Sequence, residues 1–447
     1  MIYEQKNWLH LDLKGVIPSF SKFEEHLRFF KDCGFNGIIW EIEDRIPWKN
    51  WPGTWRQGFT LEEYAKLMKL CHELELESVP LIQTMGHLDW LLRYFAYQHL
   101  RENGNGSELC PRHPETMPRL KSWIDEVVEL HPGIKYIHLG ADETHNMGKC
   151  ERCRTHAKMD IYTSHISELC QYALSKGVRP LIWADMFLRE HHEDAAKLLP
   201  EGTILVDWHY RNVAPYDSTP VLQKSGHEVM GASGIMVGYW EQCYRVQGIP
   251  APRIENVVGW KKWAGPQNVG MIHTTWTRAC SQWNLYGPWI GYLLVFMAGG
   301  TPEMWELHPW HDFMMRVSQI MANDQFDDLE KAAQDVMELP VRTPFEKASR
   351  SWWNLALRYQ SMQKEFQVTR EQNLIFKRSI PFVGENQDMF QEHGVKPFYK
   401  IKEKMLQWQK DVHVFWQENE LSDEEEFIAT RCIAILDDCD HFITAKQ

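Results

Sequence analysis

The chain has 447 residues, 44% of them hydrophobic, and a formal net charge of −13. That length suits one large domain with a smaller companion, and an acidic balance without a basic run argues against nucleic acid as a partner. No run of about 18 apolar residues occurs, so no membrane-spanning helix is expected.

Met1-Ile2-Tyr3-Glu4-Gln5-Lys6 runs toward a strand without a secretory pattern. The ten cysteines are scattered over expected helices and strands, and read as reduced thiols of a cytoplasmic protein.

Taken in order, short apolar or alternating runs are each followed by a helical pattern. Residues 8–14 form the first strand, with a helix over 21–33. Residues 36–41 form the second, followed by a long loop and a helix opening at Thr60-Leu61-Glu62-Glu63, a capping box. Residues 77–84 form the third, followed by a loop with Gly86 and His87 and a helix over 114–130. The fourth begins at Tyr136, with a helix over 155–176 after it. Residues 180–185, 203–208, 228–232 and 269–276 supply strands five to eight, and a helix is expected over 289–297. Glycines 177, 202, 226 and 270 precede several strands, where helix C-caps belong.

Eight strand–helix units predict a (β/α)8 TIM barrel in the α/β class. An open doubly wound sheet is the alternative, but no Gly-rich dinucleotide loop follows the first strand. From about residue 336 the pattern is helical only. Thr343-Pro344-Phe345-Glu346 and Ser422-Asp423-Glu424-Glu425 are helix starts. The expected division is a barrel over 1–335 and a C-terminal helical extension over 336–447. The extension is structural, walls the site or pairs two copies as a homodimer.

Catalytic groups of a barrel collect at the C-terminal ends of its strands. Here those ends read Asp12 and Lys14, then Glu41, Glu43 and Asp44, then His87, Asp142 and Glu143, Trp183 and Asp185, Trp208 and Tyr210, and Trp276 and Arg278. In the fourth strand, alternation puts Ile137, Leu139 and Ala141 toward covering helices and His138, Gly140 and Asp142 on the other face. Gly140 leaves room for a close approach. Glu143 lies past the strand, so both carboxyls can face one pocket. Like charge and burial would raise one pKa while hydrogen bonds hold the other down, giving one proton donor and one fixed charge. The bland alternative is a solvated turn that caps the next helix.

Cys150-Glu151-Arg152-Cys153 has metal-ligand spacing. A structural zinc needs four ligands, which His145 and His156 would complete. One such pair falls short of a site, and no metal or other cofactor is expected.

His138-x-Gly140-x-Asp142-Glu143 resembles the signature of glycoside hydrolase family 20, the β-N-acetylhexosaminidases. His10-Leu11-Asp12-Leu13-Lys14-Gly15, Gln83-Thr84-x-Gly86-His87 and Trp276-x-Arg278 look like its hexosaminidase D branch. The resemblance spans about residues 8–300. It implies removal of terminal β-linked GlcNAc or GalNAc by a substrate-assisted retaining mechanism, in which the sugar's own acetamide attacks the anomeric carbon. Glu143 would then be the general acid and base, and Asp142 would orient the acetamide. Trp183, Trp208 and Trp276 would box the sugar. Tyr210, or less well Tyr239, would donate to the acetamide oxygen, with His87 near the acid.

Two departures stand out. Lys14 sits where many members carry Arg, and Arg278 where many carry Glu. Hydroxyl recognition must then be rebuilt, with Glu41, Asp44 and Asp185 as candidates. Three other readings remain: a retaining glycosidase with Asp185 or Glu41 as nucleophile, a non-catalytic sugar-binding barrel, and a metal hydrolase using His87, His138 and Asp142.

Overall fold

The computed structural model describes residues 5–210, 216–236, 250–267, 270–276, 307–323, 328–383 and 390–444. Eight parallel strands close into a barrel in sequence order. They are β1 (Asn7–Asp12), β2 (Gly37–Glu41), β3 (Glu77–Leu81), β4 (Tyr136–His138), β5 (Arg179–Trp183), β6 (Ile204–Trp208), β7 (Glu228–Met236) and β8 (Met271–Thr275). Closure is made where Asn7, Trp8 and Leu9 pair with Met271, Ile272 and His273.

Side-chain alternation sorts these strands into two layers. Trp8, Ile39, Leu81, Leu181, Val206 and Ile272 fill the barrel interior. Leu9, Ile38, Trp40, Ile137, Ile182 and Leu205 face outward into the larger core under the helices. The covering helices include α1 (Phe20–Asp32), α2 (Leu61–Glu73), α3 (Thr116–Leu130), α4 (Lys158–Ser175), α5 (Ser218–Gln223) and α6 (Pro250–Gln267). At α2 the Thr60 hydroxyl and the Glu63 carboxylate form the expected capping box. The helix expected over 289–297 lies outside the described residues.

Most strands end earlier than the sequence pattern suggests. In β4 regular pairing stops at His138, because Gly140, Ala141 and Glu143 adopt φ of +65°, +75° and +50°. Left-handed backbone costs a non-glycine residue about 1–2 kcal/mol, so neighbours must hold it. The Trp183 amide donates to the Gly140 carbonyl at 3.0 Å, and the Tyr162 hydroxyl of α4 donates to the Ala141 carbonyl at 3.0 Å.

The C-terminal helices include α7 (His311–Ala322), α8 (Leu329–Asp335), α9 (Pro344–Val383), α10 (Lys396–Asn419) and α11 (Ala434–Thr444), with a short helix over Glu424–Ile428 where the acidic start was expected. Thr343 Oγ1 accepts from the Glu346 amide at 3.1 Å, capping α9 as its sequence suggests. Trp352, Trp353, Trp408 and Trp416 join the same apolar core as the barrel's outer layer. Phe345 stacks on Phe29 of α1 at 4.8 Å. The loop after β1 is pinned to the extension: the Ile17 amide donates to Ser422 Oγ at 3.1 Å, and Pro18 bridges Leu421. Among the described residues no helix is long and apolar enough to cross a membrane.

Candidate active site

The rim at the C-terminal ends of the strands carries two polar clusters over an aromatic floor. The first is built around the distorted end of β4. Asp142 and Glu143 are successive residues, yet the left-handed turn aims both carboxyls at one imidazole. His87 Nε2 lies 3.3 Å from Asp142 Oδ2 and 3.5 Å from Glu143 Oε2. Close approach of two loops makes this contact. A Cβ on Gly86 would sit 2.6 Å from the Asp142 carbonyl oxygen. Gly140 serves the same end, since a Cβ there would overlap the side-chain oxygen of Gln83. The visitor that Gly140 admits is thus a protein side chain.

Behind these groups stands the start of the helical turn after β5. Asp185 Oδ2 accepts from the Glu143 amide at 3.2 Å. Arg189, one helical turn on, lies 3.2 Å from Asp185 Oδ2 and 3.4 Å from Glu143 Oε1. The resulting division of protons differs from the expected one. His87 beside it pulls the Glu143 carboxyl down to about 2 against the effect of burial, with Arg189 and His145 adding to the pull. Burial, then the Asp142 carboxylate, push Asp185 up from 3.8 to about 7. The split falls between Glu143 and Asp185, because His87 bonds Glu143, whereas burial and the Asp142 charge outweigh Arg189 at Asp185. Asp142 Oδ1 is buried and accepts no hydrogen bond from the described residues.

The second cluster joins β1, β2 and β3. Lys14 Nζ lies 3.1 Å from Asp12 Oδ2, 2.9 Å from Glu41 Oε1 and 3.0 Å from Glu43 Oε1. His10 Nε2 is 2.9 Å from Glu41 Oε2, and Gln83 donates to Glu41 Oε1 at 3.2 Å. Burial disfavours the Lys14 charge, but Asp12, Glu41 and Glu43 overcome it and hold the lysine well above its ordinary pKa. Burial likewise opposes charge on Glu41, yet Lys14 and His10 hold it well below the usual carboxylate range. Lys14 is therefore a buried cation held among Asp12, Glu41 and Glu43, and of these burial pushes the Glu43 carboxyl well above the usual carboxylate range.

Aromatic rings connect the clusters. His138 packs on Trp183 with ring centroids 4.3 Å apart, and Trp183 on Trp276 at 5.6 Å. His10 packs on Trp276 at 4.5 Å, and Trp208 stacks on Tyr210 at 4.9 Å. Trp183 is fully buried and supports the floor, while Trp208, Tyr210 and Trp276 are half-buried and accessible. Burial holds the Tyr210 phenol well above its ordinary pKa, so it stays a hydrogen-bond donor. His138 is also buried. Its Nδ1 accepts from the Gly140 amide at 3.0 Å, and burial, with His10 nearby, lowers it to about 3. It is a neutral support for the turn.

Of the residues singled out in the sequence, Asp12, Lys14, Glu41, His87, His138, Asp142, Glu143, Trp183, Asp185, Trp208, Tyr210 and Trp276 all reach this rim. Asp44 points away and pairs with Arg93 at 2.7 Å. Arg278 and Tyr239 lie outside the described residues. Among the described residues His87, His138 and Asp142 form no metal-ligand group. Arg189 was not foreseen; its signal is the helical spacing from Asp185.

A family model for the catalytic domain of glycosyl hydrolase family 20 matches residues 72–306. That span runs from α2 past β8 and leaves out the strands that supply Asp12, Lys14 and Glu41. The chain is similar to human hexosaminidase D, 34% identical over 221 residues that make up 46% of this chain and 45% of that protein. It is similar to bovine hexosaminidase D, at 32% over 215 residues, 45% of this chain and 62% of that one. The chain thus matches about half the length of these curated relatives. Among solved structures, a β-N-acetylhexosaminidase from Bacteroides fragilis superposes with a TM-score of 0.53 at 18% identity, covering 72% of this chain and 71% of that one. At that identity the likeness speaks for the fold.

Proposed function

The chain belongs to glycosyl hydrolase family 20, and on that premise we propose that it is an exo-acting β-N-acetylhexosaminidase. Its substrates are terminal β-linked GlcNAc or GalNAc residues, cleaved with retention by the sugar's own acetamide. The observation that carries this reading is the pairing of Asp142 and Glu143. Two adjacent carboxylates reach one imidazole, and Asp142 keeps a buried oxygen with no hydrogen-bond partner among the described residues.

A buried, unpaired acceptor calls for a donor. The acetamide N–H of a 2-acetamido sugar is such a donor. Held by Asp142 Oδ1, it turns the acetamide carbonyl oxygen toward the anomeric carbon, and the carboxylate offsets the positive charge that develops on the acetamide. Trp276 and Trp208 form the apolar surface for the ring and the methyl group, and the Tyr210 hydroxyl donates to the acetamide oxygen. Glu143 gives its proton to the departing glycosidic oxygen, then takes one from the water that opens the cyclic intermediate. In the ligand-free chain Glu143 is ionised. A sugar ring that strips water from the site raises its pKa, and His87, touching both carboxylates, passes the proton. Asp12 and Glu41, held in place by Lys14, accept from ring hydroxyls.

A carboxylate nucleophile fits poorly. Asp185 is the neighbour placed for it, but its oxygen is engaged by the Glu143 amide and its pKa stands near 7. The described cysteines are all free thiols, which supports work in a reducing compartment, the cytoplasm. The deciding experiment is turnover of aryl β-GlcNAc and β-GalNAc beside the plain β-glucoside and β-galactoside. Cleavage of the acetamido sugars alone is expected. Equal cleavage of the plain sugars would overturn the acetamide nucleophile.

A further inference from the structure

Outside the catalytic rim, four metal-ligating side chains converge behind it. Glu102 and Cys110 come from the loop after β3, and Cys150 and Cys153 from the loop after β4. One donor atom from each lies within 4.8 Å of all the others. The Cys110 sulfur is 3.5 Å from that of Cys150 and 3.8 Å from that of Cys153. Disulfide sulfurs would be about 2.05 Å apart. The edge of a tetrahedron with zinc–sulfur bonds of about 2.3 Å is about 3.8 Å, which matches the spacing found. The fourth donor completes that count. Glu102 is fully buried. Its Oε1 accepts from the Lys149 and Cys150 amides at 2.9 and 2.8 Å, while among the described residues the buried Oε2 meets nothing but the thiols of Cys110, Cys150 and Cys153. A carboxylate oxygen buried against sulfur atoms, which are weak donors, is costly unless something cationic meets it.

We propose that Glu102, Cys110, Cys150 and Cys153 form a structural zinc site that clamps the β3 and β4 loops together. Three thiolates and a carboxylate make a closed tetrahedral set with no open position for catalysis. The set corrects the sequence-level completion of the Cys-x-x-Cys pair. His156 is exposed, and His145 turns its ring to Arg189 at 3.3 Å. Four ligands and Zn2+ sum to a net charge of −2, next to Lys149, Arg152 and Arg154.

The clamp lies behind the catalytic carboxylates. The residue before Cys110, Leu109, donates its amide to the Met85 carbonyl at 2.9 Å, two positions before His87. Between the loops, Glu108 accepts from the His145 and Asn146 amides at 3.1 and 2.8 Å. A metal at the four ligands fixes the loop that carries His87 relative to the turn that carries Glu143.

The test reads metal, not activity, so it stands whether or not the proposed reaction is correct. The reduced full-length chain is stripped with a chelator and titrated with Zn2+ against a chromophoric competitor, and with Co2+ in parallel. One equivalent of either metal is expected, with thiolate-to-cobalt charge-transfer absorption, protection of three thiols from alkylation and a higher melting temperature. Glu102→Gln keeps an oxygen for the two amides but removes the anionic ligand, and should weaken zinc about 10-fold or more. Cys110→Ser should weaken it about 100-fold or more. A folded wild-type chain that takes up neither metal overturns the proposal, as does Cys153→Ser binding zinc as tightly as the wild type. A Cys110–Cys150 disulfide in chain purified under reducing conditions overturns it too.

Discussion

The backbone amide of Glu143 donates to the Asp185 carboxylate at 3.2 Å. The two carboxyls of this pair are driven apart: Glu143 is drawn down to about 2 and Asp185 pushed up to about 7. A group on the next strand's loop thus positions the candidate acid through its main chain, while His87 and Arg189 meet its carboxyl.

Replacing Glu143 with Gln removes the proton donor and keeps the shape. A loss of about 10²–10⁴-fold in kcat is expected on glycosides with poor leaving groups. Substrates with activated aryl leaving groups, which need less protonation, should lose less in the first step. Steady-state rates across a series of leaving groups check this; a uniform loss would remove Glu143 from the acid role.

Asp142→Asn should act on the acetamide. The amide side chain can still accept at oxygen, but it brings no negative charge to the developing oxazolinium. A fall in kcat of about 10²-fold or more is expected, in the range of a lost electrostatic stabiliser. Affinity for the acetamido product should change far less. If product binding collapses in parallel with kcat, Asp142 serves only ground-state binding.

Lys14→Met leaves Asp12, Glu41 and Glu43 buried together without their cation. Removing one partner of a buried ion cluster costs about 3–5 kcal/mol. Urea unfolding of the variant should show that loss at neutral pH and a smaller one in acid, where the carboxylates take up protons. A change below about 1 kcal/mol would mean that water reaches the cluster.

Asp185 gives stability a particular pH course. Its folded pKa of about 7 exceeds its ordinary 3.8, so between those values the folded chain keeps a proton that the unfolded chain has released. Stability from this group therefore falls as pH rises from about 4 to about 7. Glu143 acts oppositely at lower pH: its folded pKa of about 2 lies below 4.5, and its contribution is lost as pH falls toward 2. Unfolding at about pH 5 should take more free energy than at about pH 8, by about 2–3 kcal/mol from Asp185, because only about two pH units of that interval lie below its folded pKa. Asp185→Asn should flatten that difference, and an unchanged slope would assign it to other groups.

Gly140→Ala should damage the site more than a surface glycine replacement. The φ of +65° and the contact with Gln83 both exclude a Cβ. Gln83 also donates to Glu41, so displacing it disturbs both polar clusters. Lower activity and a lower melting temperature are expected together. A variant with wild-type activity would show that Gln83 can move aside freely.

The barrel was legible because each strand alternates its apolar residues. Ile137, Leu139 and Ala141 were assigned to the outer layer from alternation alone, and all three are fully buried there. The left-handed turn at Gly140 and Ala141 was not legible, since nothing in alanine signals a positive φ; Trp183 and Tyr162 impose it from other elements. The surroundings of Lys14 were not legible for a similar reason: Asp12, Glu41 and Glu43 meet it only after β1 and β2 pair. Cys110 and Glu102 could not be joined to Cys150 and Cys153 by spacing, because about 40 residues and a strand separate the two loops. Proton distribution was the hardest to foresee, as it turns on distances of a few ångströms between side chains from three loops.

The bond from the Ile17 amide to Ser422 spans 405 positions of sequence. A ribosome adding about 5–20 residues per second needs roughly 20–80 s to deliver the second partner after the first. Through that interval the segment after β1 lacks the surface that pins it, and the rim holding Lys14 lacks its brace. The growing chain carries an incomplete first βα unit until nearly the last helix is made, so its exposure to aggregation is set by translation speed and chaperone supply rather than by the stability of the finished barrel.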